Sequence, residues 1–336
     1  MITTPNNPAK RIFTLFLATL LLLSLAACGK QPSKESESQT ETETETETEA
    51  ADIPVDVFSN MVDIDASDIY SDYALLCRLD SGEAVAGLNA TERMYPASLT
   101  KLMTFIVAYE NAADRSALIE ITQTMKNLYP EGSRIGIDLG DLMTVEQMMY
   151  ALLLESDTDA ALGLTFHVAY NEEAFVALMN AKAIEMGLKN THFTNVTGLH
   201  NDNHYSTAAD MATVMAYVLN IPLGRTILTT DVYATFLKYY KNGVLTDYRM
   251  TFYNTTLRDR FSENDISTQT PNGLKILGGK TGYTEEAEHC LATVAVAENG
   301  EQYILITGHA VGDRKTSGAE RSARDAVTLY DKYATK

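Results

Sequence analysis

Residues 96–107, Pro96-Ala97-Ser98-Leu99-Thr100-Lys101-Leu102-Met103-Thr104-Phe105-Ile106-Val107, carry apolar side chains all round a helical projection, so they predict a helix buried on most sides, with Ser98 in its first turn. Such a helix belongs inside a domain, and the neighbouring sequence supplies its cover. Before it, residues 73–79 are apolar, Asp80-Ser81-Gly82 interrupts them, and residues 84–88 resume an extended pattern, which predicts a hairpin. After it, Thr144 and Gln147 have capping-box spacing ahead of Met148, Met149, Leu152 and Leu153, predicting a helix that ends near Glu155. Further helices are expected over residues 158–168, over 172–186 with Gly187 as the stop, and from Ser206 through Met211 and Met215 to Val218. Residues 274–284, 289–297 and 302–310 read as strands, the last two joined across Asn299-Gly300, and a closing helix follows over 318–333. Strands at both ends of a helical middle predict an α+β fold: an antiparallel sheet flanked by helices, with a helical lobe.

Composition narrows the function classes. With 336 residues, 45% hydrophobic and 21% charged, the chain is neither disordered throughout nor a bundle of membrane spans. Its 45 acidic residues against 26 basic ones give a net charge of -19, which would repel nucleic acid, so no nucleic-acid partner is expected. Three cysteines exclude a disulfide scaffold and form no Cys-x-x-Cys pair. Cys77 and Cys290 fall on predicted strands, either as buried thiols or as a bridged pair. His200 and His204 flank Asp202, but the intervening residues are turn-like and no zinc-protease glutamate follows, so neither a metal nor any other cofactor is expected.

The N-terminus reads as an address. Lys10 and Arg11 precede an apolar run over residues 12–25 that is shorter than the roughly 20 residues a membrane helix needs. Leu25-Ala26-Ala27-Cys28 resembles a bacterial lipobox, which implies a signal peptide over residues 1–28 and a lipid anchor on Cys28. Residues 29–54 hold seven glutamates and Asp52 against two lysines, with no large apolar side chain before Ile53, and predict a solvated, disordered tether. Setting aside -6 for the tether and +2 for the targeting segment leaves -15 on the body, residues 55–336. The expected arrangement is an exported catalytic body held at the outer face of the cytoplasmic membrane by its N-terminal lipid.

Three motifs carry chemistry. Ser98 and Lys101, three apart on a helix, share a face and suit a serine nucleophile with a lysine base, provided desolvation or a nearby cation lowers the lysine's pKa. Lys280-Thr281-Gly282 lies on a predicted strand after Gly278-Gly279, whose lack of side chains would let another molecule approach the strand edge, and offers a cation and a hydroxyl to a carboxylate. Ser156-Asp157-Thr158 sits at a helix break, where a hydroxyl suits a proton relay.

The order Ser-x-x-Lys, Ser-x-(Asn or similar), Lys-Thr-Gly resembles the penicillin-binding protein and serine β-lactamase superfamily. The closer likeness is to the low-molecular-mass D-alanyl-D-alanine carboxypeptidases of the peptidase S11 family. It is carried by residues 96–104, by Gly198-Leu199-His200 with residues 203–208, and by Lys280-Thr281-Gly282-Tyr283-Thr284 followed by Cys290-Leu291-Ala292. The resemblance implies a β-lactamase/transpeptidase-like fold and hydrolysis of peptidoglycan stem peptides. Ser98 would attack, Lys101 would accept its proton, and Ser156 would pass a proton to the leaving D-alanine. The backbone N–H groups of Ser98 and Tyr283 would hold the oxyanion, and Lys280 and Thr281 would grip the terminal carboxylate beside Gly282. β-Lactam antibiotics would acylate the same serine. The middle motif departs from the family's usual Ser-x-Asn: Thr158 brings a hydroxyl where an amide would contact substrate, and Asp157 adds a carboxylate that would raise the pKa of Lys101. The family's C-terminal β domain and membrane-binding helix are not expected here, Cys28 taking over the anchoring. A lipid-anchored penicillin- or peptide-binding sensor with little turnover, or a β-lactamase, are the alternative readings.

Overall fold

The computed structural model describes residues 57–313 and 316–334; the predicted signal peptide, Cys28 and the whole of the tether lie outside them. Its main sheet has six strands in the order β1-β3-β2-β10-β9-β8. These are β1 (Val62–Asp63), β2 (Tyr73–Arg78), β3 (Ala84–Leu88), β8 (Lys275–Thr284), β9 (Glu288–Val296) and β10 (Gln302–Ala310). The sheet is antiparallel as predicted except for the two-residue β1, which pairs parallel with β3.

Period-two alternation splits each strand between two cores. Leu75 and Cys77 of β2 and Ile304 and Ile306 of β10 face a helical lobe, whereas Ala74, Leu76, Tyr303 and Leu305 face the other way. On that second face lies α8 (Gly318–Tyr333), which covers the sheet with Ala323, Ala326, Leu329 and Tyr330 and is capped by Ser317, whose side chain accepts from the Glu320 N–H. The lobe is built around α1 (Thr100–Asn111), in which every residue from Thr100 to Ala108 is buried, as its sequence requires. Around α1 pack α3 (Val145–Leu154), α4 (Thr158–Ala169), α5 (Glu172–Glu185) and α6 (Ala208–Asn220). The capping box read from Thr144 and Gln147 forms at the head of α3, and Gly187 follows α5 with φ +72°.

A second, four-stranded sheet was not expected. It runs in the order β4-β5-β6-β7, from β4 (Leu118–Glu120) and β5 (Leu142–Thr144) to a long hairpin of β6 (Val232–Lys241) and β7 (Val244–Tyr253). The short helices α2 (Gln123–Asn127) and α7 (Pro222–Leu228) also escaped the sequence reading.

Gly278 and Gly279 serve a different purpose from the one predicted. A Cβ on Gly278 would lie 2.1 Å from the Leu228 carbonyl oxygen, and one on Gly279 would lie 1.9 Å from that of Ala292. The glycines admit the protein's own backbone, not a ligand. Nor is there a disulfide: Cys77 and Cys290 are both free and buried. Burial pushes the Cys77 thiol up to about 12 and that of Cys290 up to about 11, so neither offers a thiolate near neutrality. Purified residues 55–336 are therefore expected to show no reaction with Ellman's reagent when folded and two thiols after denaturation; rapid labelling of either cysteine in the folded protein would contradict this packing.

Candidate active site

The nucleophile turn is built by close approach of backbone. Ala97–Leu99 form a 3-10 turn leading into α1, with Ala97 at φ +46°. Gly198, at φ +84°, lies against it so tightly that a Cβ there would sit 1.9 Å from the Ala97 carbonyl oxygen. A Cβ on Gly282 of β8 would meet the Pro96 carbonyl oxygen at 3.0 Å and the Ser98 nitrogen at 3.2 Å. Glycine at both positions lets the loop before α6 and the edge strand β8 close on Ser98 from opposite sides.

Lys101 is 2% exposed, and its Nζ donates to Ser98 Oγ at 3.0 Å and to the Thr197 carbonyl at 3.0 Å. Asn195 fixes that carbonyl, its side-chain oxygen accepting from the N–H groups of Thr197 and Gly198. His204 braces the same loop from behind: its Nδ1 accepts from the Thr194 N–H at 3.1 Å, leaving Nε2–H to donate to Thr100 Oγ1 at 2.7 Å. Burial pushes His204 down to about 3, so it is a neutral structural histidine, while His200 packs edge-on against Tyr95.

Burial is also the leading influence on Lys101, lowering it to about 8 against the opposing pull of Asp157. Asp157 is itself buried, and burial raises it to about 6. Its oxygens are engaged as the cap of α4, accepting from the Ala160 N–H at 2.7 Å, and as the anchor of a loop, accepting from the Ile135 N–H at 3.0 Å. The carboxylate expected to keep Lys101 protonated is thus partly spent on backbone donors.

Ser156 lies between α3 and α4 at φ +59°, lining the groove, but its Oγ hydrogen-bonds to none of the described residues. The Thr158 hydroxyl is likewise buried without a partner, and an added Cβ on Gly132 would lie 2.4 Å from it. Thr158 lines the groove and packs against the loop that carries Gly132. The loop wall of Glu131, Gly132 and Ser133 was not foreseen. It is held by the Thr158 N–H donating to the Ser133 carbonyl at 2.8 Å, and by Asp159, fully buried, pairing with Lys126 at 2.7 Å and Arg134 at 3.0 Å.

On the opposite wall, Thr281 Oγ1 and Thr255 Oγ1 are 3.1 Å apart, and the exposed Tyr283 lines the groove with its ring tilted against His289. Lys280 behaves differently from the prediction. It is fully buried, donates to the Thr281 carbonyl at 2.7 Å and does not line the groove. Burial, reinforced by Lys101 and Arg260, holds it well below the usual lysine range. The cation that does line the groove on this side is Arg260, which the sequence reading missed. Nothing in Arg258-Asp259-Arg260-Phe261 distinguishes it from a solvated charged turn. The whole groove, about 310 Å³, brings Ser98, Lys101, Ser156, Thr158, Thr281, Gly282 and Tyr283 together, and no cluster among the described residues has the ligands for a metal ion.

A family model described as D-alanyl-D-alanine carboxypeptidase, peptidase S11, matches residues 60–310. The chain belongs to this family. D-alanyl-D-alanine carboxypeptidase DacF of Bacillus subtilis is 30% identical over 263 residues, covering 77% of this chain and 63% of the relative. The D-alanyl-D-alanine endopeptidase of Escherichia coli is 30% identical over 245 residues, covering 71% of each. The crystal structure of the Streptomyces K15 DD-transpeptidase superposes with a TM-score of 0.66 at 25% identity, covering 78% of this chain and 97% of that one. The chain spans between 55% and 63% of the length of the first three curated relatives it matches. The fold is accordingly the one these peptidases share.

The opposed influences on Lys101 predict a pH signature. With Lys101 as the base expected to free the Ser98 hydroxyl, the rate of reaction with a fluorescent penicillin should rise with pH through about 8. Asp157→Asn keeps a side chain able to cap α4 while removing the charge that raises Lys101, so the midpoint should move to lower pH. A midpoint that stays or rises in the variant would contradict the electrostatic role given to Asp157.

Proposed function

We propose that this protein is an exported serine DD-carboxypeptidase that removes the terminal D-alanine from peptidoglycan stem pentapeptides through an acyl-enzyme on Ser98. The observation that carries the reading is the contact of a desolvated lysine amine with a serine hydroxyl, 3.0 Å apart, at the mouth of a groove closed by β8. Ser98 Oγ attacks the carbonyl between the two D-alanines, and its proton passes to Lys101 Nζ. The oxyanion is held by the N–H groups of Ser98 and Tyr283, which the close packing of Gly282 on the nucleophile turn draws together. The C–N bond breaks as the departing D-alanine amine takes up a proton through Ser156, and water then hydrolyses the Ser98 ester. β-Lactams follow the first half of this course and stop at the ester.

Incubation with a pentapeptide ending in D-Ala-D-Ala, read by mass spectrometry, should show loss of one alanine and no loss with Ser98→Ala. That variant should also lose labelling by fluorescent penicillin, and persistent labelling would overturn the assignment. The buried Thr158 hydroxyl, in place of the family's amide, supports a second reading, a penicillin- or peptide-binding sensor; stoichiometric acylation without D-alanine release would favour it. Cleavage of crosslinked dimers instead would mark an endopeptidase, and nitrocefin turnover a β-lactamase.

The export and anchoring rest on the sequence: a signal peptide over residues 1–28, an acidic tether over 29–54 and a catalytic body over 55–336, held to the membrane through a lipid on Cys28. No single helix among the described residues is long and apolar enough to cross a membrane. Labelled palmitate should enter the wild type and fail to enter Cys28→Ala; equal incorporation would remove the anchor.

A further inference from the structure

The β6–β7 hairpin is held to the body at its base. Tyr233 stacks on Tyr150 with ring centroids 3.7 Å apart, Gln147 donates to the Thr235 hydroxyl and the Phe236 carbonyl, and Tyr248 donates to Asp141. Leu237 and Phe252 are buried there. β6 pairs with β5 at a single position, Lys238 with Leu142, and from Tyr239 onward its strand partner is β7 alone. Residues 240–245, around the Asn242-Gly243 turn, are all exposed, so the far end of the hairpin projects from the body.

That end puts apolar side chains in water. Val244 is 66% exposed, Tyr240 64%, Phe236 59% and Leu245 44%. Register sets Tyr240 opposite Leu245 and Phe236 opposite Arg249, so these share the outer face, with Val244 at the turn beside them. Basic side chains interleave with them: Lys238, Lys241 and Arg249 stand against the single acid Asp247, giving the hairpin a charge of +2 on a body that carries -15. None of the three cations joins an ion pair among the described residues. A cluster of exposed apolar side chains rimmed by charge marks an interaction surface.

We propose that the far end of the β6–β7 hairpin docks on an anionic phospholipid bilayer, with Tyr240, Val244 and Leu245 entering the headgroup region and Lys238, Lys241 and Arg249 meeting lipid phosphates. Charge complementarity selects this partner. The acidic body as a whole is repelled by an anionic bilayer, but that repulsion decays over about 8 Å at physiological ionic strength. From Lys238 to Asn242 the chain spans about 13 Å at the strand rise per residue. The basic tip therefore reaches the surface while most of the acidic body lies beyond the screening length. Tyrosine suits that boundary, having an apolar ring and a hydroxyl that stays wet. Val244 and Leu245 would gain little from a polyhydroxylated glycan, whereas both gain by leaving water for acyl chains. The docking does not depend on the hydrolase reading. It would add a second, reversible attachment to the lipid proposed on Cys28 and set which way the groove faces, because Tyr253 at the hairpin's base donates its N–H to Glu155 in the groove wall.

The test sediments residues 55–336, which hold both hydrophobic cores, with vesicles of phosphatidylglycerol and phosphatidylcholine in equal parts and with vesicles of phosphatidylcholine alone. Wild type should bind the mixed vesicles about 10-fold or more tightly than the neutral ones, and high salt should release it. Lys238→Gln combined with Lys241→Gln should weaken binding by about 25-fold, at about fivefold for each basic side chain. Tyr240→Ser, Val244→Ser and Leu245→Ser together should weaken it by about 10-fold or more. Because these positions are exposed, the Tm and the penicillin labelling of Ser98 should match wild type in each variant, which separates lost docking from lost fold. The indole introduced by Tyr240→Trp, the only one in a chain without tryptophan, should be quenched by brominated phosphatidylglycerol. Failure of wild type to sediment with the mixed vesicles, unweakened binding by the hairpin variants, or an unquenched indole overturns the proposal. Hairpin-dependent retention on purified peptidoglycan, or hairpin-dependent self-association, in place of vesicle binding would also overturn it and assign the face to a glycan or to a second copy of the chain.

Discussion

The withdrawal of one ammonium group from water is the constraint on which the rest of the site depends. Lys101 ordinarily titrates at 10.5 and is brought to about 8, which amounts to about 3 kcal/mol against its charged form. That shift raises the neutral fraction at pH 7 from about one molecule in 3,000 to about one in ten, enough for an amine to serve as a base. The energy comes from the surrounding lobe. A first turn of α1 that presents a lysine to a dry interior requires the all-round apolar burial of Leu102, Met103, Phe105 and Ile106, and therefore the helices packed about them.

Two backbone surfaces complete this environment. The Thr197 carbonyl is the second partner of the Lys101 amine, and it reaches that position because Asn195 organises its loop and Gly198 carries no side chain to keep it away from Ala97. On the other side, β8 closes over Ser98 because Gly282 does the same. The glycines thus convert a helix and an edge strand, elements with separate folding logic, into opposite walls of one groove. Asp157 links them to the third wall, since the carboxylate that caps α4 also holds the Ile135 end of the loop carrying Gly132 and Ser133.

Much of this was legible because it is written in local patterns. The turn at Asp80-Ser81-Gly82, the capping box at Thr144, the stop at Gly187 and the Asn299-Gly300 hairpin each declare themselves within a few residues, and α8 occupies the predicted span. The β6–β7 hairpin carried signals just as local, in Asn242-Gly243, both at positive φ, and in the alternation of Tyr248, Met250 and Phe252 with polar residues along β7, yet its largely exposed strands belong to a second sheet that was not foreseen. What sequence could not convey is direction. The Lys-Thr-Gly motif names a lysine on a strand, but only packing shows its amine turned inward to the Thr281 carbonyl, and only a π-helical turn brings Arg260 to the surface Lys280 does not reach. Spacing likewise placed Ser156 and Thr158 at the helix break without revealing that loop residue Gly132 presses on Thr158.

The account turns on the charge state of Lys101, which NMR can read directly. Lysine labelled with ¹³C at the ε carbon, assigned by comparison with Lys101→Arg, would give the titration of that one amine in the folded protein. The account requires a midpoint of about 8. A midpoint at or above the ordinary lysine value would mean that the amine stays charged at neutral pH, and it would contradict the role of Lys101 as the base that activates Ser98.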